Sequence, residues 1–134
     1  KLKPSELDLF DAEKAKKFHK TLSNCDIGQS LVVAQGLCIA VETIPGTDAM
    51  LDFVFKHLSE FLINKKGVRG IFYKAPKSNQ TQMIDMPTIG LKTICKVYRA
   101  NLGGIVLAKN SVLILDKDKV IAECDKLGLF LISY

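Results

Sequence analysis

LVVAQGLCIAVETIPGTDAM, residues 31–50, decides the fold. Two short apolar runs flank Gln35-Gly36, a pair whose glycine readily supplies the positive φ of a tight turn, so the stretch reads as a β-hairpin. Pro45-Gly46 ends the second strand. From Thr47 the spacing changes: Met50, Val54, His57, Leu58 and Phe61 gather on one face and predict a long helix. Within one passage the chain moves from a period of two to one of about 3.6, the pattern of a sheet with a helix laid on it.

The same alternation extends in both directions. Upstream, Ser5 with Asp8 three residues on forms a short capping box, and residues 11–22 follow as a helix with Ala15, Phe18 and Leu22 on one face. Downstream, GIFYKA (70–75) is a strand, and the spacing of Leu91, Ile94, Cys95 and Tyr98 predicts a helix from about 88 to 101. GIVLAKNSVLILD (104–116) reads as a second hairpin turning near Lys109-Asn110. Asp116 then caps a helix carrying Val120, Ile121, Cys124 and Leu127, and LFLIS (129–133) closes as a buried strand. Hairpin followed by helix thus occurs twice, at 31–62 and 104–127. The expected class is α/β: a mixed β-sheet, built from hairpin–helix units, with helices packed on it.

Composition narrows the function classes. The 134 residues, 48% apolar and 25% charged, suit one globular domain with an ordinary core. No apolar run approaches the roughly 20 residues that span a bilayer. The chain shows no signal peptide, starts on a lysine, and is expected to be part of something longer. Cys25, Cys38, Cys95 and Cys124 are scattered without a C-x-x-C and with only two histidines. A zinc site is therefore not expected, and the thiols read as reduced core residues of a cytosolic protein. Of the net charge of +5, much lies in Lys56, Lys65, Lys66, Arg69, Lys74 and Lys77, opposed only by Glu60. Such a strip attracts anions. Nucleic acid is not the expected partner, because only Tyr73 is placed among these cations as a stacking platform.

KAPKSNQTQMIDMPTIG (74–90) and Gly46-Thr47-Asp48 carry the candidate chemistry. Each is read as the approach to a helix N-terminus, where backbone N–H groups and the helix dipole favour anions. Thr47 is placed to cap, and Pro87 suits a first turn before Thr88. Lys74 and Lys77 add point charges on flexible stems. Asp48 and Asp85 offer two carboxylates, which can hold a magnesium ion that also touches phosphate, while one can instead position or deprotonate water. Spacing does not assign these roles. His57 reads as a core residue and His19 as solvent-facing. No serine or cysteine stands in a recognised nucleophile setting, and neither G-x-G-x-x-G nor a Walker motif is present.

Three motifs carry a family resemblance: D-I-G-Q at 26–29, E-x-x-x-G-T-D-A-M at 42–50, and K-A-P-K…D-x-P-T-I-G at 74–90. With Lys126-Leu127-Gly128-Leu129-Phe130, they resemble, in order and register from about Cys25 to the end, the C-terminal half of the LpxI-type UDP-2,3-diacylglucosamine pyrophosphatases. On that resemblance, residues 1–23 are a linker and helix, 24–134 the family's C-terminal domain, and the family's N-terminal half is absent. The resemblance implies hydrolysis of the substrate's pyrophosphate to UMP and 2,3-diacylglucosamine 1-phosphate, in lipid A biosynthesis, with Mg²⁺ or another divalent metal.

The resemblance assigns Asp85 and Asp48 to catalysis and metal binding. Lys74, Lys77, Thr47, Gly46, Thr88, Gln29 and Gln80 go to the substrate. Asp26, Ala49, Pro87 and Gly90 also match the motifs. Two positions depart from the family pattern: Pro45 stands where the family commonly has an acid before G-T-D, and Thr81 replaces a frequently acidic residue. The expected partners are the glycolipid substrate or its product, the missing half, the inner-membrane surface and a second copy. The expected location is cytoplasmic, with peripheral membrane contact. Two rival readings are a non-catalytic phosphoglycolipid-binding module and a dimerising scaffold steered to anionic membranes.

Overall fold

The computed structural model describes residues 2–61, 69–78 and 86–134. The expected capping box opens α1 (Glu6–Asn24): Asp8 N–H donates to the Ser5 hydroxyl at 3.2 Å, and Ser5 N–H to the Asp8 carboxylate at 2.8 Å. The chain then forms β1 (Ser30–Ala34), β2 (Leu37–Val41), α2 (Thr47–Phe61), β3 (Ile71–Lys74), β4 (Thr88–Ile89) and α3 (Leu91–Arg99). β5 (Gly104–Leu107), β6 (Leu113–Ile114), α4 (Lys117–Leu127) and β7 (Phe130–Ser133) complete it. Gln35 and Gly36 turn the first hairpin with φ of 54° and 74°, the left-handed pair that suits a two-residue connection.

Five strands form one sheet in the order β2-β1-β3-β5-β7. β1 runs antiparallel to β2 and β3, while β3, β5 and β7 are mutually parallel, so the sheet is mixed as expected. Strand alternation sorts its side chains into two cores. Leu31, Val33, Ile71, Tyr73 and Val106 pack under Ala12 and Ala15 of α1. Val32, Phe72, Ile105 and Leu107 pack under α2, α3 and α4 with Val54, Ile94, Val97 and Val120. Side chains of this kind stabilise by roughly 1.5–3 kcal/mol each when fully buried. β1, β3 and β5 are buried along their whole length because helices cover both faces.

Several expectations change. The second hairpin is absent: Lys109-Asn110 does turn, but β6 leaves the main sheet and pairs in parallel with β4. The reason is topological, since β5 already has β3 on one edge and β7 on the other. The hairpin–helix unit therefore occurs once among the described residues. Thr88 lies in β4, and α3 starts after Gly90, so Pro87-Thr88 does not open a helix. Thr88 and Ile89 are β-branched, which favours extended backbone over helix. β7 is only partly buried, as befits an edge strand. Asp116 sits at the N-cap of α4 but makes no side-chain cap bond there.

Candidate functional site

Strand parity creates the site. Tyr73 points under α1, so the next residue, Lys74, points to the α2 side at the carboxyl end of β3. Lys74 is 6% exposed. Its Nζ donates to Thr47 Oγ1 at 3.0 Å, Thr47 donates to Glu42 Oε2 at 2.8 Å, and the Ser30 hydroxyl donates to the same Glu42 oxygen. Burying an ammonium without partners is costly. Here burial pulls Lys74 below the usual lysine range, and the negative charges of Glu42 and then Asp48 oppose that shift.

Each partner is delivered by a local feature. Glu42 follows β2 and is held by its backbone N–H on the Ser30 carbonyl at 2.8 Å. Gly46, at φ +91°, closes a turn by donating to the Thr43 carbonyl at 2.9 Å, and α2 begins at the next residue. Thr47 thus opens the helix, but its hydroxyl serves Glu42 and Lys74, which differs from the capping role expected of it. Asp48 is half-exposed and pairs with Lys92 of α3 at 2.6 Å. One turn further on, Asp52 pairs with Lys96 at 2.7 Å, so two ion pairs at matching spacing lace α2 to α3.

A cavity of about 380 Å³ adjoins the network, lined among others by Asp26, Gly28, Gln29, Glu42 and Lys77. Gly28 is required here: its φ is +43°, and a Cβ would stand 2.0 Å from the Glu42 carbonyl oxygen. Lys77 Nζ meets Asp26 Oδ1 at 3.0 Å at the rim. A second hollow of about 400 Å³ is apolar, with Ile39, Val41, Pro45, Met50 and Phe53 in its wall, and shares Thr43 with the first.

Of the sequence-predicted residues, Gly46, Thr47, Asp48 and Lys74 come together, and Gln29 and Lys77 line the adjoining cavity. Thr88 does not join them: its hydroxyl bonds the Met86 carbonyl at 3.1 Å and its strand pairs with β6. Asp85 and Gln80 lie outside the described residues, as do Lys65, Lys66 and Thr81. The expected basic strip is broken, since Lys74 is buried in the network and Arg69 reaches the Gly128 carbonyl at 3.5 Å. Glu42 and Ser30 are functional candidates that the sequence pattern alone did not single out. Glu42 opens E-x-x-x-G-T-D-A-M and was legible there, whereas no sequence signal marks Ser30.

Three further expectations are reversed. His19 is buried at 7% exposure against Tyr73, and its Nε2 has no hydrogen-bond partner among the described residues. Burial pulls its pKa down, opposed by a hydrogen bond to the Ala75 backbone. His57 is half-exposed and meets Glu60 at 3.2 Å. Three of the four cysteines are exposed, and only Cys124 is a core thiol, pushed up to about 11 chiefly by burial.

Fold and site define an α/β domain in which a buried lysine, a hydroxyl and a carboxylate meet where β3 ends and α2 begins, beside a cavity. The family described as the LpxI C-terminal domain matches residues 1–132, and the chain belongs to that family. A relative from Caulobacter vibrioides, named UDP-2,3-diacylglucosamine pyrophosphatase LpxI, is 41% identical over 134 residues, which cover 99% of this chain and 48% of the relative. The chain thus spans about half the length of the curated relative it matches.

Proposed function

We propose that this chain supplies the anion-binding half of a pyrophosphohydrolase that splits UDP-2,3-diacylglucosamine into UMP and 2,3-diacylglucosamine 1-phosphate, a step of lipid A biosynthesis. The observation that carries the reading is the Lys74–Thr47–Glu42 network at the start of α2, beside the cavity that Lys77 and Gln29 line. Lys74 and Lys77 neutralise the pyrophosphate, while the first N–H groups of α2, which have no acceptor within the helix, orient it. The apolar hollow beside Pro45 and Phe53 suits hydrocarbon attached to such an anion. Fixed charges and dipoles of this kind usually contribute more than any other effect to stabilising the charge that develops in a transition state.

A divalent cation such as Mg²⁺ belongs to the same proposal. Among the described residues no group of three or more His, Cys, Asp or Glu is placed to hold a metal. Mg²⁺, however, commonly uses one or two carboxylates together with substrate phosphates and water. Asp48, half-exposed at the mouth, fits as one ligand, and Asp85 would be the second. When bound, the ion would neutralise phosphate charge. Asp85 would alternatively position or deprotonate the attacking water. The family's N-terminal half would complete the site. The complex would work in the cytoplasm against the inner membrane, and a homodimer is a further proposal.

A second reading, a phosphoglycolipid-binding module without turnover, is favoured by one contact: Lys92 engages the Asp48 carboxylate at 2.6 Å, competing with any metal. The test is UMP release from UDP-2,3-diacylglucosamine with Mg²⁺ by the full-length protein, native against Asp85→Ala. Loss of release with ligand binding retained supports the hydrolase. Release that is unchanged in Asp85→Ala sinks the assignment, and binding without release in the native protein selects the second reading.

A further inference from the structure

We propose that Glu42 is a positioning residue: through Thr47 it fixes the direction in which Lys74 presents its ammonium to a phosphate group. The inference rests on the reading that Lys74 meets the pyrophosphate. It assigns a role to a residue that reading leaves without one.

The order of protons in the network carries it. Glu42 Oε2 accepts the Thr47 hydroxyl at 2.8 Å and also accepts the Ser30 hydroxyl. A carboxylate accepts only, so both hydroxyl protons point at Glu42. Thr47 Oγ1 therefore turns a lone pair outward, and Lys74 Nζ donates into it at 3.0 Å. One of the three ammonium N–H groups is thereby anchored, and among the described residues the other two meet no further hydrogen-bond acceptor. Ser30, 3.5 Å from Thr47 Oγ1, closes the other side and keeps both hydroxyls on one acceptor. Thr47 is accordingly a bridge inside the site, with its hydroxyl proton already committed.

Glu42 also sets the charge of the lysine it orients. Lys74 is faced by Glu42 beyond β2 and by Asp48 on α2. Its cross-strand neighbours Ser30 and Leu107 carry no charge. Asp48 is engaged by Lys92 of α3, which leaves Glu42 as the first opponent of the burial that pulls Lys74 down. Gly28 supports the same residue from the other side, since its bare Cα lets the D-I-G-Q loop lie against the Glu42 backbone. The loop, the carboxylate, the bridging hydroxyl and the ammonium form one continuous support.

The test is a direct titration of Lys74 by NMR of its labelled side chain, in this chain and in Glu42→Gln. Glu42→Gln keeps the shape and removes the charge. The Lys74 midpoint is expected to fall by about one to three pH units, the effect of losing a close opposite charge. Glu42→Asp is expected to recover part of that fall. Thr47→Val, which removes the bridge without altering the carboxylate, is expected to move Lys74 the same way by less, and it serves if Glu42→Gln does not fold. In the full-length protein the alkaline limb of UMP release is expected to follow the Lys74 midpoint downward. A midpoint that stays put in both Glu42→Gln and Thr47→Val, even with a lowered melting temperature, overturns the proposal and leaves Glu42 a purely structural residue. A midpoint that moves in Glu42→Gln but not in Thr47→Val is the bare charge effect and overturns positioning through Thr47. One that moves in both while native protein releases no UMP upholds the positioning and overturns the hydrolase reading alone.

Discussion

The two faces of the sheet bury polar side chains to different ends. On the α1 face, Asp11, His19 and Ser23 are all buried, and each bonds backbone, Ser23 meeting the Ser78 hydroxyl at 2.7 Å as well. Asp11 accepts the N–H groups of Gly36 at 2.7 Å and Gln35 at 3.2 Å, His19 bonds the Ala75 backbone, and Ser23 accepts the N–H of Ser78. Those bonds pin the hairpin turn and the segment leaving β3. On the α2 face, Lys74, Thr47, Glu42 and Ser30 finish on one another beside a cavity. Tyr73 and Lys74 are adjacent in sequence yet belong to these two regimes, because consecutive strand residues point to opposite faces. The contrast separates polar groups that hold the fold from polar groups held ready by it.

That division is open to direct attack. The largest effect is expected from Lys74→Met, which keeps much of the length and removes the charge. UMP release by the full-length protein should fall roughly 100- to 1,000-fold, with the melting temperature nearly unchanged. A comparable loss of stability would erase the distinction between the faces.

Asp11→Ala is the converse experiment. It strands two backbone donors at the hairpin turn and should cost about 1–3 kcal/mol in denaturant unfolding. Ligand affinity of the folded fraction should be retained. Burial raises the Asp11 pKa while the two N–H groups oppose it, so the role of the carboxylate lies in the turn it holds.

A smaller effect is expected from pH. The folded pKa of His19 lies below its ordinary value, so the unfolded chain binds more protons. Its contribution is complete above the ordinary histidine pKa of about 6.5 and is lost as pH falls through the depressed folded value. Native protein should therefore lose stability on acidification, and His19→Phe should flatten that slope while filling the same space against Tyr73. An unaltered slope would mean that His19 does not govern acid stability.

The smallest effect is expected from Lys92→Ala, which removes an exposed partner of Asp48. Stability should hardly change, since exposed ion pairs contribute little. If Asp48 is a metal ligand, Mg²⁺ dependence in the full-length protein should shift toward lower concentration. No shift would favour the binding module.

The sequence by itself determined the elements whose causes are local. The Gln35-Gly36 turn, the Ser5–Asp8 capping box, the helix from Thr47 and the mixed α/β class follow from turn chemistry and periodicity within a few residues. It also marked Thr47, Asp48, Lys74, Lys77 and Gln29, because motif spacing survives without coordinates. Only the tertiary structure decided pairing and facing. β6 could not join β5, since both edges of β5 were taken by strands far away in the chain. His19 went inward and His57 outward because the cover over each helix comes from other elements, and three thiols expected in the core proved exposed for the same reason. Glu42 opens the second motif, but its bond to Thr47 and its place beside Lys74 emerged only once the end of β2, the start of α2 and the end of β3 met, a contact among segments that no single stretch of sequence encodes.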